Sequence, residues 1–136
     1  MRILDLQAQK SAKVPGSEGL WGSRWSPDGK HLVAHLDNPA RKLMLFTFAT
    51  NTWQELASGT NLGWECWSRD SKFVYALDGD SLVRVAIADR RKEQIISFQG
   101  LAASAWFGIA LTRDGRPIMT RNTSIQEIYA FDLEYK

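Results

Sequence analysis

An all-β chain of short antiparallel strands, four to a sheet, is predicted by three observations. One short phrase recurs: Trp25-Ser26-Pro27-Asp28-Gly29-Lys30 returns as Trp67-Ser68-Arg69-Asp70-Ser71-Lys72 and as Leu111-Thr112-Arg113-Asp114-Gly115-Arg116, its aspartates 42 and then 44 residues apart. Between the copies lie short apolar runs bounded by turn residues, the pattern of strands and hairpins. No stretch keeps a 3.6-residue apolar period over a dozen positions, which argues against helices. A period of roughly 40 to 45 residues with several strands per unit is that of a propeller blade. The expected fold is therefore a β-propeller segment of about three four-stranded antiparallel blades, an incomplete ring, since closed propellers use about four to eight blades.

Residues 1–15 read as half a blade, because Arg2-Ile3-Leu4-Asp5-Leu6 resembles the third-strand sequence Glu127-Ile128-Tyr129-Ala130-Phe131-Asp132-Leu133. Whole blades follow at 16–57 and 58–97, then 98–136 as a blade lacking its last strand. In each unit the first strand ends on a large apolar residue, Trp25, Trp67 or Leu111. Trp25 and Trp67 are expected as wedges between blades. The turn comes next: Pro27 presets φ, and Gly29 takes the positive φ of a tight hairpin. Asp28, Asp70 and Asp114 suit a turn-forming role, accepting bonds from their own turns' amides, with Ser or Thr two residues earlier adding another local bond. Ser71 stands where the other copies have glycine, so the second turn should be strained or differently shaped. Second strands are expected at 31–36, 73–77 and 117–121, and third strands at 42–48, 81–87 and 127–133. The run Leu43-Met44-Leu45-Phe46 implies burial on both faces, as a sheet between two others needs. The more polar fourth strands, at 53–56 and 92–96, suit an outer edge, where charge discourages stray pairing.

The composition excludes several classes of function. The 136 residues are 44% hydrophobic and 24% charged, a globular mixture, and seventeen basic against fifteen acidic side chains leave a net charge of +2. The longest basic run, Arg90-Arg91-Lys92, is bracketed by Asp89 and Glu93, so no field suited to nucleic acid results. No window of some 18 apolar residues occurs, so membrane insertion by a helix is not expected. Met1 to Leu6 is too short and polar for a signal peptide. A single cysteine, Cys66, allows neither an internal disulfide nor a multi-cysteine zinc site, and it reads as a small core residue. His31 and His35 fall four apart on one strand, about 13 Å, too far to share one ion. Asp78-Gly79-Asp80 supplies too few oxygens for calcium and reads as a hairpin turn. Gly16-Ser17-Glu18-Gly19 lacks the spacing of a nucleophile elbow. The expectation is no enzyme, no cofactor and no metal.

Trp-Ser-Pro-Asp-Gly-Lys, followed by an apolar second strand and a third strand ending Phe131-Asp132-Leu133, resembles the WD-like PD-type repeat of the TolB propeller family and the propeller domains of prolyl oligopeptidases. The likeness runs from about Arg2 to Leu133, and its first copy is the most specific. It implies a non-enzymatic module for protein or peptide interaction, the C-terminal propeller part of a larger bacterial sensory or regulatory protein with a kinase-like or winged-helix domain upstream. It also leans toward the periplasm or cell envelope. The alternative it carries is the gating propeller of a prolyl oligopeptidase-like peptidase. A homodimer completing the ring is a further expectation, beside an intramolecular closure in which residues 1–14 supply the last blade's missing strand.

Six tryptophans invite a contact role. Trp53 opens an outer strand, whereas Trp21, Trp64 and Trp106 precede the first strands of successive blades, at the mouth where propellers receive partners, and aromatic anchors concentrate binding energy. The loops between second and third strands, with Asp37, Asn38, Arg41, Asp78, Asp80, Arg121 and Asn122, should provide a polar rim on the same face.

Overall fold

A computed structural model describes residues 1–37, 40–99 and 106–121, and all of its regular structure there is β-strand. An N-terminal pair, β1 (Arg2–Asp5) and β2 (Lys10–Lys13), is followed by a first four-stranded sheet of β3 (Trp21–Trp25), β4 (His31–Leu36), β5 (Arg41–Thr47) and β6 (Thr52–Gly59). A second sheet holds β7 (Gly63–Trp67), β8 (Phe73–Asp78), β9 (Ser81–Ala86) and β10 (Lys92–Ser97), and a further pair joins β11 (Trp106–Leu111) to β12 (Pro117–Arg121). Every strand pairs antiparallel with its sequence neighbour in its own sheet, so each sheet is a meander. The inner strand β7 lies against both β3 and β11, which fans the sheets about a shared hub. The anticipated third strand at 127–133 lies outside the described residues.

Burial on both faces follows from this fanning. Along β4, Leu32 and Val33 point to opposite sides and both are buried. Leu32 and Phe46 pack with Val14, Ile3 and Trp53 against the N-terminal pair. Val33, Leu43 and Leu45 meet Trp67, Val74 and Val83 of the second sheet. Leu77, Leu82 and Phe98 meet Ile109 and Met119 of the last pair. The apolar interior is thus divided among the seams between successive sheets.

The repeated turns are near copies. Ser26 Oγ donates to Asp28 Oδ1 at 2.6 Å and accepts from the His31 amide, while Asp28 Oδ1 accepts from the Lys30 amide at 3.1 Å. Ser68, Asp70, Lys72 and Phe73 repeat that pattern, and Thr112 repeats its own part with Asp114 and Arg116. These donated bonds, first from the serine hydroxyl and then from the lysine amide, hold the Asp28 and Asp70 carboxyls below their usual range. Ser71 does not reshape its turn. It adopts φ 60°, beside 71° at Gly29 and 82° at Gly115, and accepts the left-handed strain. Its buried hydroxyl explains why: Ser71 Oγ accepts from the Asp28 amide at 3.1 Å, tying the second sheet's turn to the first's. Ser71→Ala keeps the strain and loses the bond, and is expected to cost about 1 kcal/mol in chemical denaturation, whereas Ser71→Gly, relieved of the strain, should cost less.

Trp25 departs from its expected role as a wedge. Trp67 is 9% exposed and its Nε1 donates to the Arg24 carbonyl at 3.2 Å across the seam, whereas Trp25 is 51% exposed. Trp25 lies flat on Phe48, ring centroids 4.8 Å apart. The inner strand β3 lies behind Trp67; among the described residues no inner strand stands in that place behind Trp25, because the N-terminal pair packs farther out, through Val14 and Trp53.

Candidate functional site

Each inner strand carries the same local distortion. Pairing of β3 with β4 shifts register between Trp21 and Arg24, that of β7 with β8 between Gly63 and Cys66, and that of β11 with β12 between Phe107 and Ile109. At each bulge one residue takes a left-handed φ: Gly22 at 64°, Trp64 at 56° and Gly108 at 75°. These three positions are equivalent, each standing three residues before Trp25, Trp67 or Leu111. Two repeats fill the position with glycine, which takes this conformation freely, while the second places a tryptophan there. The strain is not repaid by burial, since Trp64 is 55% exposed.

The bulges shape two adjoining clefts at the hub. One, about 390 Å³, runs between the first and second sheets and is lined by Trp21, Arg24, His35, Arg41, Asn61, Trp64 and Glu65. The other, about 450 Å³, lies where β11 joins them and shares Arg24, Trp64 and Glu65, adding Trp25, Cys66 and Ile109. Trp21, 49% exposed, lies over the His35 ring with centroids 4.7 Å apart and donates Nε1–H to Asp37 Oδ2 at 3.1 Å. Asp37 also meets Arg41 Nε at 3.5 Å, and Arg41 Nη1 donates to Asn61 Oδ1 at 2.8 Å. Beneath this rim His35 Nε2 meets Glu65 Oε2 at 2.5 Å, both side chains almost fully buried, joining β4 of one sheet to β7 of the next. His35 Nδ1 is buried without a partner. The Cys66 thiol is pushed up to about 11 by burial and then by the Glu65 charge, so it is not a thiolate at neutral pH.

The sequence-derived candidates divide. Trp21, Trp64, Asp37 and Arg41 gather at the first cleft. Asp78 does not line that cleft but adjoins it through Asn61: it accepts from Lys92 Nζ at 2.9 Å and from the Asn61 amide at 3.3 Å, binding β8 to β10 and to the link between sheets. Trp106 and Arg121 are register partners at one end of the last pair, and their side chains, with Asn38 and Asn122, lie outside the described residues. The tryptophans stand within the first strands rather than before them, and at unequal offsets from Trp25, Trp67 and Leu111. Arg24, His35 and Glu65 were missed as site residues. A signal existed: His35 and Glu65 are polar interruptions in otherwise apolar strands, and such a group needs a partner. His31 is held apart from this site, by Thr47 Oγ1 at 3.2 Å and by the Trp67 ring. Among the described residues no group of three or more His, Cys, Asp or Glu side chains is placed to hold a metal ion.

No family model and no curated protein matches the chain. Solved structures do. TolB from Acinetobacter baumannii superposes with a TM-score of 0.66 at 18% identity, over 84% of this chain and 29% of that one. The β-propeller domain of the trilobed protease from Pyrococcus furiosus, with an open velcro topology, gives 0.58 at 14% identity, over 71% and 34%. The tricorn protease gives 0.63 at 15% identity, over 82% and 12%. The chain thus spans about a third or less of the length of each of these structures. Similarity at such low identity carries the fold alone, and by its fold the chain is a β-propeller segment of TolB-like architecture.

Proposed function

We propose that this chain is a non-enzymatic propeller module that binds a protein or peptide in the cleft between its first two sheets, as part of a larger bacterial sensory or regulatory protein. One observation carries the reading: an exposed indole at Trp64 is held on a strained bulge where the sister repeats use glycine. A non-glycine residue in the left-handed region costs roughly 1–2 kcal/mol, and strain kept without burial marks a residue retained for contact. Trp21 faces the same cleft, and the Asp37–Arg41–Asn61 rim fixes its edge with polar groups already hydrogen-bonded. Bound extended chain suits such a place, because aromatic side chains supply large contact areas at small entropic cost.

The test compares two substitutions. Trp64→Ala and Trp64→Gly should both remove partner binding, but glycine, free of the left-handed penalty, should leave the chain about 1 kcal/mol more stable than alanine does. Equal stabilities would remove the strain argument, and unchanged binding in both would remove the site.

The second reading, a gating propeller for a peptidase encoded with it, draws on the resemblance to two protease propellers. A hydrolase segment in the same reading frame would favour it over a regulatory role.

A further inference from the structure

Arg24 stands at the wall common to both clefts, and its chemistry narrows the class of ligand. Its backbone is pinned, since its carbonyl accepts the Trp67 indole N–H. Its side chain is exposed, and its one hydrogen bond among the described residues is a long one, 3.3 Å, to the neighbouring Ser23 carbonyl. No carboxylate of the described residues lies within ion-pair distance of it. The nearby acidic groups are already engaged: Glu65 by His35, Asp37 by Trp21 and Arg41. A second guanidinium, Arg41, lines the same cleft with part of its donor set spent on Asp37 and Asn61. Two exposed indoles, Trp64 and Trp21, flank the opening.

Resting on the peptide-binding reading above, we infer that the cleft selects a carboxylate-bearing peptide, with the carboxylate on Arg24 and Arg41 and an adjacent apolar side chain against Trp64. A guanidinium with no carboxylate partner and only one long bond to a carbonyl keeps most of its donors for a ligand, and its planar fork matches a carboxylate in two parallel bonds. The low-dielectric indole walls strengthen that pair relative to open water. The carboxylate has two sources, an acidic side chain or a free C-terminus, and both present the same two oxygens.

Four pools of N-acetylated hexapeptides, each peptide carrying one phenylalanine, separate the cases. Two pools contain glutamate beside the phenylalanine and two contain glutamine, and each kind is made with a free and with an amidated C-terminus. Binding is followed by the indole N–H signals of the isotope-labelled chain. Peptides with a carboxylate are expected to move the Trp64 and Trp21 signals, and Arg24→Gln should weaken them about tenfold or more, the loss of a hydrogen bond to a charged group. Binding of amidated glutamate peptides assigns the side chain as the source, and binding confined to free C-termini assigns the terminus. If neutral amidated peptides move the same signals equally, or Arg24→Gln leaves acidic peptides unaffected, the carboxylate inference falls while peptide binding stands. If no pool moves Trp64, the peptide reading falls with it.

Discussion

Glu65→Ala should lower the unfolding free energy by about 3–5 kcal/mol, because it strands a buried histidine whose other ring nitrogen already lacks a partner. The Glu65 carboxylate and the His35 ring are each almost fully buried and belong to different sheets, so the loss falls on the seam that joins them. Glu65→Gln retains an oxygen at the same place to accept from Nε2, and should cost roughly 1–2 kcal/mol. The paired replacement His35→Leu with Glu65→Met should recover most of the loss, since well-packed apolar residues in place of a buried polar pair are often neutral. Urea denaturation of the three variants decides the matter: a Glu65→Ala cost below about 1 kcal/mol would show that the pair does not hold the sheets together.

Trp67→Ala and Trp25→Ala should differ by several fold although the two residues occupy one place in the repeat. Trp67 is buried among Val33, Leu45, Val74 and Val85 and its indole donates to the Arg24 carbonyl. Its truncation opens a large cavity and removes that bond across the seam, for an expected loss of about 3–5 kcal/mol. Trp25 covers the face of Phe48 and is half exposed, so its truncation removes little more than a stacking contact, about 1 kcal/mol. Equal losses in thermal or urea unfolding would contradict the asymmetry of the two faces.

This contrast also marks how far the sequence could be read. Turn chemistry is local: Ser26, Asp28 and the amide of Lys30 lie within five residues, so the phrase that spells the turn also builds it. Strand positions followed from the same phrase, and second strands begin at His31, Phe73 and Pro117 as their turns require. What depends on a neighbouring sheet was not legible. Trp25 and Trp67 are the same letter at the same place of successive repeats, and only the presence of an inner strand behind the second one buries it. The Asp78 loop suggests a rim position, and its carboxylate does meet the Asn61 amide, but its bond to Lys92, fourteen residues on, is not spelled by that loop. The His35–Glu65 contact spans thirty residues, and the bulge in β7 disturbs the alternation that would otherwise say which side Glu65 faces. Grouped by residue type, Trp21, Trp64 and Trp106 stand as equals, whereas alignment on the turns singles out Trp64 by setting it beside Gly22 and Gly108.

The three apolar clusters, lying between sheets rather than within them, give the molecule a linear grammar of stability. Its cohesion is a sum of nearest-neighbour terms along a row, as in stacked repeats, rather than the property of one indivisible nucleus. A lesion at one junction frees the sheets on its two sides from each other and leaves the remaining junctions intact. Such a chain opens leaf by leaf.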